Sequence, residues 1–71
     1  MAMIDERQIQ EWFTYHSPRG NQNERYEKIR SKAKELAMII FNNCPESADR
    51  THALRVLRDA MMWANASIAL E

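Results

Sequence analysis

Apolar residues recur at three- and four-residue intervals along most of the chain, a helical period, and no strand-like alternation runs long enough to matter. Three residues punctuate the pattern: Pro18, Gly20 and Pro45. Ile9, Trp12 and Phe13 predict a short helix over about 5–13, with Asp5 placed to cap it. A loop over 15–22 follows, because the residue before Pro18 avoids the helical region and Gly20 frees the backbone. A second helix is predicted over about 23–43, where Tyr26, Ile29, Ala33, Leu36, Ala37, Ile40 and Cys44 line one face. Pro45 stops it. Ser47 and Asp49 are start signals for a third helix over about 47–69. The expectation is all-α: a short N-terminal helix and then an antiparallel helical hairpin, within one helical domain spanning 1–71.

The third helix carries two apolar stripes. Leu54, Leu57, Met61, Ala64 and Ile68 form one, while Ala53, Val56, Ala60, Trp63 and Ser67 run beside it. One hairpin partner covers only one of these faces. The small residues of the second stripe would let another helix come close, so the pattern predicts a hairpin that packs against copies of itself.

Size strengthens that expectation. A chain of 71 residues buries only about 60% of its unfolded surface and is marginal as a monomer. Cys44 is the single cysteine, so no intrachain disulfide helps, and a lone thiol suits a reducing compartment. Cys44 is read as a small buried hydrophobe at a helix end. It forms no zinc pattern with His16 and His52, and no cofactor or metal is implied. Ten basic and ten acidic residues give zero net charge, which argues against DNA or RNA as the partner. The turn over 42–47 is a poor helix–turn–helix, since Glu46 and Asp49 crowd the start of the reading helix. No apolar run approaches a membrane span, and the N-terminal residues lack a signal-peptide pattern, so a soluble intracellular protein is expected.

Candidate chemistry lies in binding rather than catalysis. Tyr15 offers a flat face for stacking on a base, although Trp12, Phe13 and Tyr15 together could equally staple the first helix to the hairpin. Arg30 and Lys34, one turn apart, are placed to grip a phosphate; the plainer reading is a solvated edge with Arg30 paired to Glu27. His16 has no serine or cysteine nucleophile at a telling spacing, and a turn hydrogen bond is its simpler role. Trp63 suits a core or an interface. Asn65, polar within an apolar tract, either fixes helix register or touches a ligand.

Several stretches together resemble a known family: 13–18 (FTYHSP), Arg25-Tyr26 with Ile29-Arg30, 33–37 (AKELA), 44–47 (CPES) and 62–66 (MWANA). The family comprises small phage anti-CBASS proteins, sponges for cyclic oligonucleotide signals. The resemblance spans about 13–69, and its specificity lies in the order and spacing of the elements. It implies a helical protomer in a homohexamer that holds cyclic dinucleotides in pockets shared by two protomers. Some members hold cyclic trinucleotides at separate sites. The ligand is sequestered intact in the cytoplasm of the infected bacterium, without enzymatic activity. By the same resemblance Tyr15 matches the base-stacking tyrosine, and Arg30 and then Lys34 the cations that meet phosphate; Phe13 is read as an anchor beside Tyr15, and His16, with no role assigned, and Asn65 complete the candidate ligand-binding residues.

A rival expectation comes from the second stripe and the five methionines: a helical oligomer that binds and blocks a host protein. A phosphodiesterase ranks behind both, since no acid–base pair or metal cluster stands out.

Overall fold

A computed structural model describes residues 3–71; Met1 and Ala2, counted in the single-domain expectation, lie outside the described residues. Three helices occur, α1 (Glu6–Trp12), α2 (Gln22–Asn43) and α3 (Ala48–Ala69), and no strand occurs among the described residues. Asp5 starts α1 through a reciprocal pair of bonds. Its carboxylate accepts the Gln8 N–H at 2.9 Å, while the Gln8 side-chain oxygen accepts the Asp5 N–H at 3.0 Å. The helix ends at Trp12, and no α1 Cα lies within 8 Å of a Cα in α2 or α3. Phe13, expected as an anchor, is 85% exposed. Trp12, itself 49% exposed, lines an apolar cleft together with Trp63, Ala66 and Leu70.

Gly20, at φ 54°, turns the chain into α2 in the left-handed region that glycine tolerates. Asn21 makes no side-chain cap; Gln22 does the equivalent work from inside the helix. Its backbone N–H donates to the Arg19 carbonyl at 2.9 Å, and its side-chain oxygen accepts the Arg19 N–H at 2.8 Å. The Gln22 amide then donates to the Ile68 carbonyl at 3.0 Å and to the Glu71 carboxylate at 3.2 Å. One side chain thus joins the loop, the start of α2 and the end of α3.

The far end of the hairpin is closed by Arg50. Its guanidinium donates to the Phe41 carbonyl at 3.1 Å and lies over the Phe41 ring, 4.6 Å from the centroid. A cation there satisfies an orphan carbonyl and opposes the negative end of the α2 dipole. Ser47 caps α3, its hydroxyl accepting the Arg50 N–H at 3.1 Å. Cys44 corrects the sequence expectation: it is exposed. It leaves the helix in extended geometry ahead of Pro45, so it quits the face that meets α3.

Between these two closures α2 and α3, each 22 residues long, lie antiparallel along one seam. Tyr26, Ile29, Ala33, Ala37 and Ile40 meet Leu54, Leu57, Met61, Ala64 and Ile68, all at least half-buried; Leu36 stays exposed. Burial goes no further. Ile68 at 8% exposure and Gln22 at 4% are the only fully buried residues among those described. The second α3 stripe of Ala53, Val56, Ala60, Trp63 and Ser67 is exposed along its length, with Trp63 at 75%. The accessible surface is 6254 Å², against about 4,600 Å² for a compact monomer of 8.4 kDa.

Gln22→Ala removes the donor to Ile68 and the acceptor for Arg19 at once. Urea unfolding at fixed protein concentration should show a loss of about 1–3 kcal/mol, the usual cost of stranding buried polar groups.

Candidate functional site

The nominated residues fall into two groups and one outlier. Arg30 and Lys34 project from neighbouring turns of α2 into a groove of about 260 Å³ between the long helices. Ala33 and Ala37 form its α2 side, and their small side chains leave the hollow. Leu54, Leu57 and Met61 line the α3 side. Arg58 completes the lining; the surface of the groove is almost wholly apolar, so Arg30, Lys34 and Arg58 border it mainly through their hydrocarbon stems, and no carboxylate lines it. Sequence reasoning missed Arg58. The signal was present: Arg58 follows Leu54 by four residues and precedes Met61 by three, which puts it on the flank of the inward stripe. Arg30 donates to the Glu27 carboxylate at 2.6 Å, as the plainer reading of that pair expected, and both side chains are exposed. Among the described residues Lys34 and Arg58 form no ion pair.

Tyr15 and His16 occupy the loop after α1. Tyr15 is 82% exposed. His16 is half-buried, and its Nε2 donates to the Glu11 carbonyl at 2.7 Å, the turn bond that its position suggested. This imidazole stands between two clefts. One is apolar, about 360 Å³, with Trp12, Trp63 and Leu70; the other is polar and includes Tyr15, Arg19 and Glu71. The cleft lined by Tyr15 and the groove lined by Arg30 are separate.

Asn65 is the outlier. It is half-buried, lines none of these clefts, and its Oδ1 is buried with no partner among the described residues. The Gln22–Ile68 bond explains its place. With Gln22 opposite Ile68, Arg25 three residues later stands opposite Asn65 three residues earlier, and the Arg25 Nε is likewise buried without a partner. Asn65 therefore belongs to the polar end of the hairpin seam.

That end also positions the Tyr15 loop. Arg19 donates to the Glu71 carbonyl at 2.7 Å, and the Arg25 guanidinium pairs with the Glu71 carboxylate. Hydrogen bonds from Arg25 first and Gln22 second hold the Glu71 carboxyl below its ordinary range, while the bond to Glu71 raises Arg25. No three His, Cys, Asp or Glu side chains converge as metal ligands among the described residues. No helix among them is long and apolar enough to cross a membrane.

The fold and the site together define a small helical binding protein, built as a hairpin with a short leading helix. Residues 5–69 match the family described as the Acb2/Tad1 hairpin domain, and the chain belongs to that family of anti-CBASS cyclic-oligonucleotide sponges. Its members bind and sequester rather than catalyse. Neither a curated protein nor a solved structure matches the chain.

The Glu71 pairing sets a pH dependence. A carboxylate whose folded-state value is lowered stabilises the fold fully above the ordinary carboxylate range, and that contribution fades as pH falls through the depressed value. Thermal unfolding between pH 7 and 3 should therefore show a steeper acid loss in the wild type than in Glu71→Gln, with little difference in slope above pH ~5.

Proposed function

We propose that the chain sequesters cyclic dinucleotides, and cyclic trinucleotides at a separate site, in the cytoplasm of an infected bacterium, and so keeps the CBASS effector inactive. The observation that carries this reading is the division of the binding chemistry. The stacking face of Tyr15 and the cations Arg30 and Lys34 occupy different parts of one protomer, and neither part encloses a ligand. A cyclic dinucleotide has two bases, two phosphates and approximate twofold symmetry. A pocket shared by two protomers gives each half of the ligand one tyrosine from one copy and one cation set from the other. Tyr15 stacks on a base, Arg30 and Lys34 meet phosphate, and His16 holds the loop that presents Tyr15. Asn65, whose Oδ1 has no partner among the described residues, remains a candidate contact beside the seam.

Assembly follows from the same surface. The chain exposes about 1,600 Å² more than a compact monomer of its size, surface that neighbouring copies could cover. A homohexamer, as the family resemblance implies, is the form proposed here. The Val56, Ala60 and Trp63 stripe is the surface for a neighbouring helix. Sequestration then acts by mass action, which requires affinity and copy number but no turnover.

The exposed Trp63 stripe also favours a second reading, an oligomer that blocks a host protein. Calorimetry with a cyclic di- and trinucleotide panel separates the two. Micromolar protein should bind at least one cyclic dinucleotide, and mass spectrometry after denaturation should return it unchanged; no binding across the panel sinks the sponge reading. Tyr15→Ala should keep the oligomer and weaken binding by about 30-fold or more, the equivalent of two lost stacks, one for each half of the ligand. Ala60→Glu places a charge in the small-residue stripe and should shift the protein to smaller species in sedimentation. Unchanged sedimentation would remove that stripe from the interface.

A further inference from the structure

The groove between the long helices carries a third cation that the hairpin itself does not require. Arg58, on α3, faces Arg30 and Lys34, on α2, across Ala33, Leu57 and Met61. A seam built only for folding gains from opposite charges across it, and like charges around one hollow repel. The chain has ten acidic residues to place there, and none lines the groove. Glu27, the partner of Arg30, and Asp59, the chain neighbour of Arg58, both lie outside it. This charge set is complementary to an anion.

Shape narrows the class of anion. At about 260 Å³ the hollow falls below the roughly 300–1,000 Å³ of a complete small-molecule pocket. One protomer therefore receives one face of a ligand. Its surface is apolar and three cationic side chains border it through their stems, with their charged ends beyond the hollow, which suits a flat, weakly polar body that carries a phosphodiester at its edge. We infer that Arg58 is a third phosphate-binding residue of this groove, acting with Lys34 and Arg30 on the phosphodiester of a cyclic dinucleotide. The inference rests on the sponge reading and deepens it. Arg58 offers a planar fork that can take two phosphate oxygens, and Lys34 adds a point charge from the opposite helix. Arg30 turns from Glu27 to the ligand at little cost, because an exposed pair of that kind holds weakly.

Titration calorimetry of the full chain with 3′,3′-cyclic GMP–AMP, cyclic di-AMP and cyclic di-GMP tests this, with sedimentation of each variant alongside. Arg58→Ala should weaken binding by about 100-fold or more at unchanged oligomeric state, the effect of one lost charge-assisted hydrogen bond at each half of the ligand. Arg58→Lys should recover part of the loss. Raising salt from 50 to 300 mM should weaken the wild type more than Arg58→Ala. Wild-type affinity in Arg58→Ala, while Tyr15→Ala is impaired, overturns this inference and leaves the sponge reading standing. Dissociation of the assembly by both Arg58→Ala and Arg58→Lys also overturns it, by making the groove a contact between copies. No binding by the wild type overturns both.

Discussion

Gln22 is the interaction on which the rest of this fold depends. Its amide reaches the Ile68 carbonyl at 3.0 Å from a position only 4% exposed, so the bond forms away from competing water. A two-helix seam made of small and aliphatic side chains has little else to prevent one helix sliding along the other by a turn. Pairing Gln22 with Ile68 sets the register. It follows that Ala33 stands opposite Leu57, that Asn65 stands opposite Arg25, and that Arg58 shares a groove with Arg30 and Lys34. The same side chain holds Arg19 and Glu71, so the loop bearing Tyr15 is tied to the same reference point.

A hairpin fixed in this way is ordered without being self-sufficient. Two helices share one contact stripe, and the opposite face of each has no partner within the protomer. The exposed Val56 and Trp63 are therefore a geometric consequence of having only two long helices and a short third one that stands apart. The proposed binding follows the same logic. A chain this small cannot surround a ligand, and in the proposed assembly symmetry between copies would bring the groove of Arg30 and Lys34 on one copy to the Tyr15 loop of another. Sequestration suits such a protein because it needs no catalytic group held to sub-ångström geometry.

Much of the architecture was legible from periodicity and punctuation. The inward stripe from Leu54 to Ile68 meets α2 as its spacing implied, and the second stripe beside it is left exposed, because a helix can bury only a limited arc against one partner. Asp5 and Ser47 cap their helices for reasons local to a few residues. Cys44 and Phe13 escaped that logic. Each sits at a helix end, where a one-residue change in the boundary moves a side chain off the face that the wheel assigns to it. Of the candidate site, Arg30 and Lys34 were visible because they share a helix edge. Arg58 was not, because its partners are 24 and 28 residues away and only the register brings them together.

The sequence by itself determined that this chain is helical, where its helices start and stop, and that it carries more apolar surface than one hairpin can hide. Those properties depend on capping, proline and glycine geometry, and spacing, all of which act over a few residues. Only the tertiary structure decided which side chains share a groove. It placed three cationic side chains along one apolar groove, set Tyr15 apart from them, and gave Asn65 a place at the seam opposite Arg25. The reason is physical: juxtaposition across antiparallel helices depends on register, and register here rests on a long-range hydrogen bond from a glutamine that no local pattern singles out.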